Sequence, residues 1–262
     1  MEIKKIMNMH SKVIKYLSYF SSNIFANKPK KNIFVFSHKR GRTTLLSHIL
    51  ASHTQICGYR ELHCKYENKL DLLKSKVALY EDKKAYKESD YILDKILHNE
   101  WAFDEKLFDI KNNFYLFILR NPEATMLSMI KRHVQNNSID TVGMQSIYYI
   151  NRLKELRIYW TSLKGPKLAI DSDEMLYDTD NTLAKISKFL KLTSPLMPEY
   201  NTFKQTGVAG AGDMSDNISS GKLNQEKVIM KEEDIALLKH VDMVEINKEF
   251  GLTYQLLFPN NF

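Results

Sequence analysis

Two stretches of this chain are apolar without interruption, and each ends on a burst of positive charge. "NIFVF" (Asn32 to Phe36) gives way to "SHKRGRTTLL", and "FYLFIL" (Phe114 to Leu119) gives way to "RNPEATMLS". A strand with one face in water alternates apolar and polar residues. A run with no alternation suits a strand covered on both faces, as in a parallel sheet. Sheets of that kind bind ligands beyond the carboxyl ends of their strands, which is where both polar clusters fall.

The rest of the sequence fits an α/β fold. Leu45, Leu46, Ile49 and Leu50 recur at helical spacing, so a helix should begin near Thr43. "ICGYRE" (Ile56 to Glu61) reads as a short strand, Asn68 to Lys87 as a helix, and "YILDKIL" (Tyr91 to Leu97) as either. Asn121 can cap a helix whose first residue is Pro122. Ser138 to Leu163 reads as a long helix, "KLAI" (Lys167 to Ile170) as a strand, and Asn181 to Leu192 and Lys231 to Phe250 as helices. Thr193 to Asn224 reads as irregular. Strands alternating with helices predict a mainly parallel central sheet with helices on both faces.

With 262 residues the chain suits one sizeable domain over residues 31–262, preceded by a basic N-terminal extension over 1–30. The net charge of +7 is concentrated early: ten Lys and Arg stand against Glu2 up to Arg42, and the remainder is near neutral. A basic segment attracts anions: nucleotides, acidic glycans, lipid headgroups or nucleic acid. Val13, Ile14, Leu17, Phe20 and Ile24 predict an amphipathic helix, docked on the body or lying on a membrane surface. The apolar stretch there is too short and too interrupted to span a bilayer. Nor does it read as a signal peptide, and the expected location is cytoplasmic, with peripheral membrane contact allowed. Cys57 and Cys64, with His53 and His63 nearby, do not have the spacing of a zinc site. They read as reduced thiols.

In the first cluster a strand ends, a loop turns and a helix starts. The helix N-terminus offers unpaired N–H groups and a partial positive charge. Gly41 allows close approach, Thr43 and Thr44 add hydroxyls, and Lys39, Arg40 and Arg42 add full charge. The arrangement suits a phosphate or a similar anion. The G-x-x-x-x-G-K-[ST] loop of ATP and GTP hydrolases is absent. In the second cluster Arg120 stands at a strand end and Ser128 eight residues on, so both can converge on one anion.

As a pair, "HKRGRTTLL" and "RNPEATMLS" resemble the two nucleotide signatures of sulfotransferases that use 3′-phosphoadenosine-5′-phosphosulfate (PAPS). The resemblance implies a P-loop-like sulfotransferase fold. It implies that the first loop, Lys39 to Thr44, cradles the 5′-phosphosulfate, and that Arg120 and Ser128 hold the 3′-phosphate. Gly41 and Arg42 replace the family's Ser-Gly, and Ala124 its acidic residue. "LLSHILASHTQICGYRELH" is similar to the segment that carries a catalytic glutamate in tyrosylprotein-type and bacterial members, which places the base at Glu61, with His63 and His38 in reserve. "LAIDSDEMLYDTDNTLAKISKFLKL" resembles a further segment of the family, with Ser172 in place of a tyrosine. "GDMSDNISSGKL" resembles the loop that closes over the nucleotide and adds Lys222. The implied reaction moves a sulfuryl group from PAPS to a hydroxyl or amine acceptor without a metal, with Lys39 or Arg40 stabilising the leaving oxygen. Glycans, lipids, small molecules and peptides all remain open as acceptors.

Two other readings compete. One is a nucleotide or sugar kinase on a related fold, opposed by the missing Lys-Ser/Thr pair. The other is a non-catalytic protein that binds nucleotides or anionic surfaces. Nucleic acid is disfavoured, because Tyr16, Tyr19 and Phe20 follow helical spacing rather than a stacking pattern.

Overall fold

The computed structural model describes residues 14–21, 30–80, 83–108, 110–134, 141–208, 216–225 and 231–259. Its centre is a five-stranded sheet built from β1 (Lys31–Phe36), β2 (Ile56–Cys57), β3 (Tyr91–Ile96), β4 (Asn113–Leu119) and β5 (Lys167–Asp171). The order is β2-β3-β1-β4-β5, and every pairing is parallel. The helices are, in chain order, α1 (residues 14–21), α2 (Thr43–Ala51), α3 (Lys69–Leu79), α4 (Lys83–Glu88), α5 (Pro122–Val134), α6 (Thr141–Ser162), α7 (Glu174–Tyr177), α8 (Thr179–Leu190), α9 (Asp216–Ser219), α10 (Glu232–Leu238) and α11 (Met243–Leu257).

The unbroken apolar runs are explained by two-sided burial. Successive side chains of a strand point to opposite faces. Ile33 and Val35 pack with Leu46, Ile49, Leu183 and Ile186 of α2 and α8. Phe34 and Phe36 pack on the other face with Met126, Ile130, Leu153 and Ile246 of α5, α6 and α11. β4 is buried throughout and β1 from Asn32 on, and each such apolar side chain contributes roughly 1.5–3 kcal/mol when buried.

Several elements differ from the sequence expectation. "ICGYRE" forms sheet only at Ile56–Cys57. Gly58 then takes φ +111°, and a Cβ there would lie 2.4 Å from the Leu93 carbonyl oxygen, so the chain leaves the sheet at this point. Asn68 to Lys87 divides into α3 and α4, with Asn68 capping α3 by accepting from the Leu70 and Asp71 amides at 3.0 and 3.1 Å. "YILDKIL" is strand β3, buried along its whole length, Asp94 and Lys95 included. Lys231 to Phe250 breaks into α10 and α11, where Asp242 accepts from the Glu245 amide at 3.2 Å. Asn121 caps α5 as expected, accepting from the Ala124 amide at 3.0 Å. Of the expected N-terminal helix, Val13 and Ile24 lie outside the described residues. In α1, Tyr19 packs edge-on against Tyr80 and Tyr86, while Ile14, Leu17 and Phe20 are exposed. Among the described residues no helix is long and apolar enough to cross a membrane.

The strand order places the site. β1 lies between β3 and β4, and the chain leaves β1 toward β2 on one side and β4 toward β5 on the other. Neighbouring connections that run in opposite directions open a crevice at the carboxyl ends of β1 and β4.

Candidate active site

The loop after β1 is held open by its backbone. Arg40 and Arg42 both adopt left-handed φ, 63° and 61°, a conformation that is uncommon for residues other than glycine. Gly41 between them is needed for space: a Cβ there would lie 2.4 Å from Ser37 Oγ and 3.1 Å from the His38 carbonyl oxygen. Arg42 is the N-cap of α2 and supplies no side-chain cap bond, and the first turn carries no acidic residue. Amides and a positive helix end are therefore presented without a built-in anion.

The three cations of this loop part company. The Arg40 Nε donates to Ser128 Oγ at 2.8 Å, so its guanidinium points at the second cluster. Arg120 reaches back, donating from Nη1 to the Arg40 carbonyl at 3.0 Å. Arg40, Arg120 and Ser128, expected at two ends of one ligand, thus meet at the β1–β4 crevice. Arg42 instead turns to the end of β5, donating to Ser172 Oγ at 2.9 Å and pairing with Asp173. The serine that stands in place of a tyrosine accepts this arginine. Lys39 goes the third way, with Nζ 4.4 Å from the centre of the Tyr148 ring. Burial holds its ammonium below the usual lysine range, while Glu100 and Glu61 pull it back up.

Two further side chains tie the loop down. His38 is fully buried; its Nε2 accepts from the Arg120 amide at 3.3 Å, so its Nδ1 donates to the Lys39 carbonyl at 2.9 Å. Burial lowers its pKa to about 4. With both nitrogens engaged, it braces the two loops as a neutral ring and is a poor base. The Tyr148 hydroxyl accepts from the Lys39 amide at 2.8 Å and donates to the Leu97 carbonyl at 2.6 Å, joining the β1 loop to the end of β3.

Glu61 lies on the β3 side of this loop. Its side chain is only 10% exposed, and it is not paired with Arg60, whose guanidinium goes to Gln205 at 3.2 Å. Oε1 sits 3.3 Å from His98 Nε2 and 3.7 Å from His63 Nδ1. Desolvation raises the carboxyl to about 7, against the opposing pull of His63, Lys95 and Lys39. Burial lowers His98 to about 4. The loop that carries Glu61 is fixed by Asp94, which accepts from the Leu62 amide at 2.9 Å and the Tyr66 hydroxyl at 2.6 Å. Beside it Lys95 is buried and its pKa is pushed down to about 8 by desolvation.

Thr43 is buried and Thr44 half-buried at the helix start. Lys222 is exposed, and among the described residues its side chain has no partner in either cluster. Sequence reasoning missed Asp94, Lys95, His98 and Tyr148. A signal for the first two was present: an Asp-Lys pair inside an otherwise apolar seven-residue run has no reason to be there in a plain core strand.

Solved structures share this architecture. The sulfotransferase domain from the curacin biosynthetic pathway superposes with a TM-score of 0.55 at 14% identity, covering 81% of this chain and 98% of that one. The chain has the sulfotransferase fold. The sulfotransferase domain of the Synechococcus PCC 7002 olefin synthase gives 0.53 at 15% identity, covering 81% and 95%. No protein-family model matches the sequence, and no curated protein matches it significantly. At this identity the likeness speaks for the fold alone.

Proposed function

We propose that residues 31–262 form a sulfotransferase that moves a sulfuryl group from PAPS to a hydroxyl-bearing acceptor, with Glu61 as general base. The observation that carries the reading is the meeting of Arg40, Arg120 and Ser128 in the crevice. Two guanidinium groups and a hydroxyl, fixed by bonds of 2.8 and 3.0 Å, suit a dianionic phosphate. Ser128 accepts from Arg40 and keeps its own O–H to donate. The open start of α2, with Thr43, Thr44 and the left-handed turn at Arg42, suits a second anion. One ligand with phosphates at both ends fits the pair.

PAPS supplies an activated sulfuryl group. The protein's task is to place the acceptor oxygen in line and take its proton while charge grows on the leaving oxygen. Glu61 fits the proton acceptor, since a carboxylate with a pKa near 7 is matched to neutral conditions. Lys39, on the first residue of the turn and electrostatically coupled to Glu61, fits the cation for the leaving oxygen. Arg40 serves the 3′-phosphate end. Lys222 is assigned to nucleotide closure on the family resemblance.

The test is a calorimetric comparison of adenosine 3′,5′-bisphosphate with AMP. The bisphosphate should bind more tightly by about 1.5–3 kcal/mol, the value of a charge-assisted contact. Equal affinities would remove the reading.

A further inference from the structure

We propose that Glu61, His63 and His98 form a binding site for a zinc-like divalent metal ion, and that a bound ion caps the base. The three residues each offer one ligand atom, and these atoms all lie within 4.8 Å of one another. Two of the separations are 3.3 and 3.7 Å. Ligand atoms around a tetrahedral zinc with bonds of roughly 2.0–2.1 Å sit about 3.3 Å apart. Two edges of the coordination triangle are therefore near the required length, and the third is no longer than 4.8 Å. The His63 side chain is 46% exposed, so an arriving ion can reach the site from solvent.

The donor set is chemically suited to such an ion. Two imidazole nitrogens and a carboxylate oxygen are ligands that zinc and other late divalent metals favour. Glu61 Oε1 is also unusual in its own right: it is buried and has no hydrogen-bond partner among the described residues. A carboxylate oxygen facing two ring nitrogens at this range is a ready metal ligand. The frame is rigid, because Asp94 anchors the Leu62 amide on one side and β3 runs on to His98 on the other. Rings of Trp101 close the back, with centroids 6.0 Å from His63 and 6.2 Å from His98.

Lys39 and Lys95 both act on the Glu61 carboxylate. Their charge opposes a cation, so the site binds less tightly than a structural zinc centre. That favours an inhibitory ion that comes and goes over a resident one. A carboxylate whose lone pair is held by a metal cannot take a proton from an acceptor. This last clause rests on the proposed transfer reaction, whereas the binding site does not.

The experiment is a titration of the metal-stripped full chain with Co²⁺, read by visible absorption, followed by competition with Zn²⁺. The wild type should develop the intense bands of low-symmetry Co²⁺. His63→Ala and Glu61→Gln, checked for folding by circular dichroism, should lose the bands and weaken zinc by more than about 100-fold, since even outer partners of a metal are worth about 10–100-fold. Cys64→Ser should retain both. Absent bands in the wild type, bands that survive in His63→Ala and Glu61→Gln, or bands lost in Cys64→Ser would each overturn the site. In the same samples, bisphosphate binding reports on the transfer reading separately. If zinc binds through these residues and leaves transfer unchanged, the capping clause falls.

Discussion

The two sides of the β1 loop hold charge in opposite ways. On the β4 side the guanidinium groups of Arg40 and Arg120 are hydrogen-bonded and partly wet, and the cluster interlocks before any ligand arrives. On the β3 side Glu61, Asp94, Lys95 and His98 are withdrawn from water, and burial is the largest cause of every pKa shift there. The first arrangement is rigid and ready to bind. The second is chemically poised, with a carboxyl near 7 that can change state at ordinary pH. On the proposed reading, grip and reactivity are separated across one strand. The same loop, through Lys39 and Tyr148, keeps the two in register.

Substitutions on the two sides should therefore fail differently. The largest effect is expected at Glu61. Glu61→Gln keeps the shape and removes the proposed base, so single-turnover rates should fall by about 10²–10⁴ with bisphosphate affinity nearly intact. A normal rate would dissolve the division of labour.

The pH behaviour sharpens the same point. The Glu61 carboxyl is raised from 4.5 to about 7 in the folded chain. Across that window the folded protein keeps a proton that the unfolded chain releases, so this group's contribution to stability is greatest at low pH and declines as pH rises through 7. Activity should run the other way, rising through about pH 7 as the carboxylate forms, and the rising limb should vanish in Glu61→Gln. Chemical denaturation and rate profiles over the same pH range check both signs.

Next in size is Arg120→Ala. It should weaken bisphosphate binding by about 1.5–3 kcal/mol and AMP binding far less. An equal loss for both ligands would place Arg120 away from the 3′ end. The smallest effect belongs to Arg42→Ala. Its ion-pair partner Asp173 is 40% exposed, so the pair should be worth only about 0.2–1 kcal/mol of stability, measured by urea unfolding. A loss of nucleotide affinity as large as that of Arg120→Ala would mean that Arg42 leaves Asp173 for the ligand.

The sheet was legible because β1 and β4 are buried on both faces, and beyond the paired Asn32 and Asn113 their buried positions are filled by apolar residues. β3 was not, since its charged pair, Asp94 and Lys95, breaks the pattern for reasons that exist only in three dimensions. Glu61 was reachable through the resemblance of its segment. Its partner His98 was not, being 37 positions away, just past a segment whose type the sequence left open. The loop cations were visible as a cluster, yet their separate destinations were hidden. Two left-handed residues in succession around Gly41 decide those, and no spacing rule announces them.

One residue of α6, ion-paired with Glu155 at 2.9 Å, underlies the floor of the cleft. Arg152 is completely buried, donating to the Ser37 carbonyl at 2.7 Å, to the Ile96 carbonyl, and to the His98 carbonyl at 3.5 Å. Strand ends expose carbonyl oxygens, and a row of them is a fringe of negative potential facing any arriving anion. Arg152 quenches that fringe from beneath, at the ends of β1 and β3 together. An anion above the sheet meets the amides and cations of the loop without the repulsion of the strand termini below them. The attraction is thus made as much by what has been silenced under the floor as by what stands around the rim.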